Sequence, residues 1–313
     1  MNIVCCTDHN YIMPTGVMIC SACVNHHDCT ITFHVVCNDD VTEEDKQDLK
    51  DIVCKYHHKI EYYAINIEFP NCFTVGEKGQ NKHITISSYY RLFLTEILPD
   101  NLHKILYLDV DLIVRHSLLD LYNINIENYA VGAVPDRNDA NIYFFNRLRY
   151  QIKYGYFNAG VLLINLDYWK KTNVLNRSID FATKHPDRIT FHDQDILNYI
   201  FHKNKINIPL KYNFSTGLLD VKLPLSWEYE KELHEAIKDP YILHFTRQEK
   251  PWRKKCDHPY KDEFIKYKKM TKWADTPLWE AYPTPFRQKI KNILIFLGMR
   301  KKNPQRYIQV SPL

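Results

Sequence analysis

Asp109 and Asp111 stand one residue apart at the end of the apolar run Ile105-Leu106-Tyr107-Leu108. Such a run reads as a buried strand. Residues i and i+2 of an extended chain share a face, so both carboxylates point the same way at the strand's carboxyl end. Open α/β sheets bind their ligands at that end. Carboxylates this close repel unless a cation lies between them, and hard oxygen donors suit Mg²⁺ or Mn²⁺. Asp is also common in polar turns after strands, so the pair alone does not decide the chemistry.

Other clusters carry chemistry of their own. Asp8-His9-Asn10-Tyr11 follows the first apolar run. A carboxylate, an amide and an aromatic ring there are able to accept an imide proton, hold ribose hydroxyls and stack on a base. Phe157-Asn158-Ala159-Gly160 puts an amide and two small residues ahead of an apolar stretch. The small residues are expected to let backbone amides approach a ligand. His192-Asp193-Gln194-Asp195 opens a helix, where either Asp would also serve as a cap. His244 ends a short strand and Lys250 follows six residues later, a pair suited to a metal–diphosphate site. Cys20, Cys23, His26, His27 and Cys29 mimic zinc spacing, but they sit on a predicted helix without the Gly or Pro of a knuckle turn. They read as core.

The elements that must position these groups alternate in type. Strands are predicted at residues 3–6, 30–37, 59–65, 104–108, 129–134, 156–166 and 242–245. Helices are predicted at 15–27, at 42–56 behind the capping box Thr42-Glu43-Glu44-Asp45, at 87–98 before Pro99, and at 196–201. Residues 138–154 are polar and aromatic, either a helix or a mobile loop. The alternation implies a three-layer α/β domain with a mostly parallel sheet.

Bulk properties narrow the class. The 313 residues, 45% hydrophobic, can bury a large core. Only 8 Gly are present and no Gly-rich phosphate loop occurs. No basic, apolar leader and no membrane-spanning run is visible. The odd number of cysteines, nine, and the apolar surroundings of Cys5, Cys6, Cys20 and Cys37 fit buried thiols in a reducing, cytoplasmic compartment, where the sequons at Asn176 and Asn213 have no meaning. Charge is uneven: beyond Glu280 there are seven basic residues and no acidic one. Phe286, Ile290, Ile293, Leu294 and Leu297 fall there at helical spacing. The chain is thus divided into a catalytic domain, 1–275, and a basic amphipathic tail, 276–313. The tail reads as an anchor on an anionic membrane surface, or as a helix docked on the body.

Taken together the clusters resemble glycosyltransferase family 8, the retaining hexosyltransferases of GT-A fold, and most of all the bacterial lipopolysaccharide galactosyl- and glucosyltransferases. The matching pieces, in order, are Thr7-Asp8-His9-Asn10-Tyr11, His83-Ile84-Thr85, Tyr90-Arg91, Leu106 to Asp111, Tyr156 to Val161, Asp193 to Asn198, and His244 with Lys250-Pro251-Trp252. The resemblance implies that Asp109, Asp111 and His244 ligate Mn²⁺ (or Mg²⁺) bridging the diphosphate of UDP-galactose or UDP-glucose. Asp8, Asn10, Tyr11, Val110, Arg247 and Lys250 would hold the nucleotide. Arg91, Asp109, Asn158, Ala159, Asp193 and Gln194 would hold the sugar, with Gln194 and Asp193 catalytic. Arg247 lies in a stretch where family members often carry Gly. The acceptor would be a lipopolysaccharide or other lipid-linked glycan, met on the cytoplasmic face of the inner membrane, and no nucleic acid is expected.

Retention can proceed through a nucleophile beneath the sugar or by attack from the leaving-group face. The resemblance puts Gln194 on the underside, and a neutral amide is a poor nucleophile beside the carboxylates of retaining glycosidases. Front-face attack is therefore favoured. Two other readings compete. A haloacid-dehalogenase-type phosphatase also ends a strand in Asp-x-Asp, but normally its first strand, with Gly-Thr following; here Leu112-Ile113 follows. A non-catalytic nucleotide-sugar-binding protein would have lost a ligand or a sugar-gripping residue, and none is missing.

Overall fold

The computed structural model describes residues 1–65, 69–73, 86–220, 227–248, 250–283, 290, 293–297, 299 and 307. His83-Ile84-Thr85, Phe286 and the seven basic tail residues lie outside them.

The chain begins with β1 (Asn2–Thr7), α1 (Ile12–Val24), β2 (Thr32–Cys37), α2 (Glu43–Lys55) and β3 (Lys59–Ala64). A 3₁₀ segment (Ile86–Phe93) leads into α3 (Leu94–Ile97), β4 (Lys104–Leu108) and β5 (Leu112–Val114). Then come α4 (Leu119–Asn123), β6 (Val131–Pro135), α5 (Ile142–Leu148), β7 (Phe157–Asn165), α6 (Leu166–Lys171) and α7 (Val174–Lys184). The remainder comprises α8 (His192–Phe201), β8 (Lys205–Asn207), β9 (Phe214–Ser215), α9 (Trp227–Lys238), β10 (Ile242–His244) and α10 (Lys261–Lys268).

The main sheet has seven strands in the order β3-β2-β1-β4-β7-β6-β8. Only β7 runs against its neighbours β4 and β6; the other pairs are parallel, as the alternation of elements implies. Its inner strands β1, β2, β4, β6 and β7 are buried on both faces because both are covered, whereas the edge strands β3 and β8 are partly exposed. Leu106 and Leu108 enter one core and Ile105 and Tyr107 the other. A small sheet, β5-β10-β9, packs beside it.

Helix α1 is buried from Ile12 to Cys23, so Cys20 and Cys23 are core residues as expected. All nine cysteines are free thiols. The capping box of α2 is present, with Thr42 Oγ1 accepting from Asp45 N (3.1 Å) and Asp45 Oδ2 from Thr42 N (2.9 Å). Residues 138–154 fold as α5 and a short 3₁₀ turn rather than a loop. The helix expected at 87–98 is mostly 3₁₀. In that tighter coil residue i+3 eclipses i, which sets Arg91 over Ser88, whose carbonyl accepts from Arg91 Nε (3.2 Å).

Candidate functional site

Asp109-Val110-Asp111 forms the hinge between the two sheets. The Asp109 amide donates to Gly160 O (2.8 Å), one rung beyond the β4–β7 ladder. The Asp111 carbonyl accepts from Phe245 N (2.9 Å), beside the pairing of His244 with Leu112. Strand register therefore carries His244 to the two carboxylates. Donor atoms of Asp109, Asp111 and His244 lie within 4.8 Å of one another, the one such cluster among the described residues.

Each carboxylate divides its oxygens between two tasks. Asp109 Oδ1 accepts from Arg91 NH2 (2.7 Å) and from the Tyr107 hydroxyl (3.0 Å), and Asp111 Oδ2 from Lys250 Nζ (2.5 Å). The other oxygens face His244 Nε2, at 3.7 Å for Asp109 Oδ2 and 3.1 Å for Asp111 Oδ1. Two oxygens and an imidazole nitrogen turned toward one point suit a divalent cation. Burial alone would raise the Asp111 pKa, but the Lys250 ammonium holds it well below the usual carboxylate range.

Arg91 joins this cluster to the sugar-binding candidates. Its Nε lies 3.0 Å from Asp193 Oδ2, and its guanidinium stacks 4.4 Å from the Tyr107 ring centroid. Burial opposes its charge, yet Asp109 and Asp193 hold the guanidinium firmly protonated. Asp193 competes with Asp109 for this cation; its carboxyl, pushed up chiefly by burial, titrates at about 7.

Helix α8 opens at His192, a non-glycine residue at φ 48°. Backbone outliers of this kind cost about 1–3 kcal/mol and gather at functional sites. Asp193 and Asp195 fall inside the first turn rather than at its cap, which is Phe191. Asp195 accepts from both Arg147 amino groups (2.7 and 2.8 Å) and from the Tyr156 hydroxyl (2.8 Å). Tyr156 in turn accepts from Gln194 Nε2 (3.1 Å), while Gln194 Oε1 accepts from Ala159 N (3.0 Å). Of the catalytic candidates, Gln194 is thereby clamped to the start of β7, while Asp193 is paired with Arg91.

These groups line a cavity of about 360 Å³, within the range of small-ligand pockets. Asp109, Asp111, Val110, His244, Lys250, Arg91, Asn158, Ala159, Asp193, Gln194 and Tyr11 are all on its wall. Asp8 is buried beside it, with Oδ2 accepting from Ser87 Oγ (3.4 Å). Asn10 is exposed and Arg247 is ion-paired to Asp220 under the Tyr307 ring; neither is on the wall.

One reason given for the small residues needs correcting. The Ala159 and Gly160 amides do not point at a ligand, since side chains of Gln194 and Asn158 accept from them. Gly160 is small because a Cβ there would stand 2.1 Å from His244 Cε1 and 2.8 Å from Asp109 Oδ2. Sequence reasoning missed Asn213, Asp136 and Tyr107, all tied to the cluster by hydrogen bonds. Only Asn213 bore a signal, and as a sequon it pointed elsewhere.

The model of the family described as Glycosyl transferase family 8 matches residues 2–256. General stress protein A of Bacillus subtilis is 28% identical over 278 residues, covering 87% of this chain and 94% of its own length. Lipopolysaccharide 1,3-galactosyltransferase of Salmonella typhimurium is 26% identical, covering 88% and 80%. The crystal structure of galactosyltransferase LgtC with donor and acceptor sugar analogues has a TM-score of 0.76 at 25% identity, covering 93% of this chain and 100% of that one. The fold is therefore the GT-A type of LgtC, with a mostly parallel central sheet, and the phosphatase alternative is set aside. The chain belongs to glycosyl transferase family 8.

Proposed function

We propose that this glycosyltransferase transfers galactose or glucose from a UDP-sugar, with retention, to a lipid-linked glycan such as a lipopolysaccharide core. The observation that carries the reading is the division of labour at Asp109 and Asp111. One oxygen of each is neutralised by Arg91 or Lys250, while the other is left for a cation shared with His244. Mn²⁺ or Mg²⁺ held there by Asp109, Asp111 and His244 would act as a Lewis acid on the leaving diphosphate. Lys250, buried with its Nζ on Asp111 and on Phe245 O (2.6 Å), places fixed positive charge at the same end. Tyr11, edge-on to Trp252 (6.0 Å) and Trp279 (6.3 Å), offers a braced ring to the uracil.

At the sugar end, Arg91 and Asp193 would grip hydroxyls, and the Asp193 carboxylate would offset positive charge growing on the anomeric carbon. Gln194 is uncharged and spends both ends of its amide on Ala159 and Tyr156. It is better suited to shaping that pocket than to attacking the sugar. Front-face attack fits, with the leaving phosphate oxygen taking the acceptor's proton. The test is hydrolysis of a panel of UDP-sugars by the purified protein with Mn²⁺, Mg²⁺ or EDTA. Undiminished activity in EDTA would overturn the metal reading, and activity only with other nucleotide sugars the donor reading.

The tail beyond residue 275 is proposed to bind an anionic membrane. Leu294 is half-buried and Tyr307 packs on the body, but Ile290, Ile293, Phe296, Leu297 and Met299 are exposed, which favours the anchor over the docked helix. No helix among the described residues is long and apolar enough to cross a membrane. Each basic residue near an anionic surface contributes about 1 kcal/mol. Deleting residues 285–313 should release the protein from anionic vesicles, and Ile293→Asp with Leu297→Asp should weaken the same binding without removing Tyr307. Equal sedimentation of all three proteins at low salt would refute the anchor.

A further inference from the structure

We infer that Asn213 is a positioning residue that fixes the tautomer and ring orientation of His244, keeping Nε2 available to a metal ion. The inference rests on the metal reading above and deepens it.

The orientation of the Asn158 side-chain amide is fixed by the backbone. A backbone N–H only donates, so the Asn158 atom 2.9 Å from Gly160 N is its oxygen, Oδ1. The other end of that amide, Nδ2, then meets the Asp136 carboxylate at 3.1 Å, as it should. Asn158 Oδ1 has a second neighbour at 2.8 Å, the side chain of Asn213. An acceptor there requires the Asn213 amino group, which leaves Asn213 Oδ1 facing His244 Nδ1 at 2.8 Å. That oxygen accepts, so Nδ1 carries the hydrogen, and Nε2 is turned toward Asp109 and Asp111. One backbone amide thus dictates two amide orientations and an imidazole tautomer, which are otherwise only inferred from their surroundings.

The scaffold supports this. Asn213, Asn158, Asp136 and His244 are all buried, Asn213 with 1% of its surface exposed. Asn213 immediately precedes β9, which pairs in parallel with β10 and sets Ser215 beside His244. Without Asn213, the ring has a rival arrangement at hand. An Nε2–H would donate to Asp111 Oδ1, 3.1 Å away, and close the position a cation needs. Partners of ligating histidines commonly govern metal affinity by 10- to 100-fold.

The experiment uses the full chain with ¹⁵N-labelled histidine. Two-bond nitrogen–proton spectra read the His244 tautomer without metal, its signals identified by their loss in His244→Gln, and Mn²⁺ affinity is read by EPR titration. The wild type should show Nδ1–H. Asn213→Ala should move His244 toward the Nε2–H form and weaken Mn²⁺ binding about 10- to 100-fold. Asn213→Asp keeps an acceptor on Nδ1 at the expense of the bond to Asn158, and should restore the tautomer and most of the affinity. An Nε2–H wild type, an Asn213→Ala protein with unchanged spectrum and affinity, or an Asn213→Asp protein no better than the alanine variant would each overturn the inference. A wild type that takes up no Mn²⁺ sinks the metal reading instead, while the tautomer measurement still decides this one. Thermal melts of both variants separate loss of folding from loss of the contact.

Discussion

Gly160→Ala puts one methyl group into the centre of the site. The new Cβ would stand 2.1 Å from His244 Cε1 and 2.8 Å from His244 Nδ1 and Asp109 Oδ2. Carbon atoms settle at about 3.5–4.0 Å, so the imidazole must retreat by more than about 1 Å. Metal–ligand distances tolerate only about 0.2 Å, and a misplacement near 1 Å can cost about 10²-fold in rate. The ring has little room to move, being held at Nδ1 by Asn213 at 2.8 Å and by its place in β10. Overpacking of this kind costs about 1–3 kcal/mol of stability. Mn²⁺ affinity by EPR should fall at least about tenfold, and Mn²⁺-dependent UDP-hexose hydrolysis about 10²-fold, in a protein that still melts cooperatively. Backbone conformation does not confound the test, since Gly160 does not have a positive φ. Wild-type affinity and turnover in Gly160→Ala would refute the claim that Asp109 and His244 must meet over β7.

Three further outcomes are expected. Asp109→Ala and His244→Ala should each abolish Mn²⁺-dependent hydrolysis, and full activity in the Asp109→Ala, Asp111→Ala double variant would remove the site assignment. Asp193 titrates at about 7 when folded, against about 3.9 in an unfolded chain. The folded protein therefore holds this proton more tightly, and the group's contribution to stability falls as pH rises from about 4 to about 7. Asp193→Asn should flatten that part of the melting profile of the metal-free protein; parallel wild-type and variant profiles would contradict it. Arg147→Ala leaves the Asp195 carboxylate buried without its cation, which costs about 3–5 kcal/mol. Chemical denaturation would expose the error if the loss were under about 1 kcal/mol.

What the sequence made legible is what local pattern encodes. The alternation of apolar strands and amphipathic helices gave the layers, and Thr42 with Asp45 announced α2 before any tertiary contact was known. The ligand set was legible as residue types at strand ends. What stayed hidden depends on contacts between distant segments. Asn213 looked like a glycosylation signal until strand pairing laid it against His244. Asp136 and Tyr107 stand on the cavity wall and bond to Asn158 and Asp109, contacts that only the folded chain brings about. The 3₁₀ segment around Arg91 holds a buried guanidinium shared by Asp109, Asp193 and two carbonyls, partners that lie mostly in distant segments. Arg247, placed with the nucleotide on resemblance, is paired with Asp220, a partner no spacing rule could have named.

The reversal of β7 within an otherwise parallel neighbourhood bears on how such an enzyme can be re-engineered. Because β7 runs against β4, its beginning, Asn158 to Gly160, meets the end of β4, where Asp109 starts. Fixed machinery thus sits on a paired seam, where a one-residue slip would turn every side chain to the wrong face. The first turn of α8 and the 3₁₀ segment bearing Arg91 are attached to that seam by side chains alone. A library aimed at a different hexose should therefore start with those two segments, because substitutions at residues 157–160 and 104–111 also disturb the seam. Of the residues proposed to hold the sugar, Arg91, Asp193 and Gln194 thus stand outside the paired seam, while Asp109, Asn158 and Ala159 stand on it.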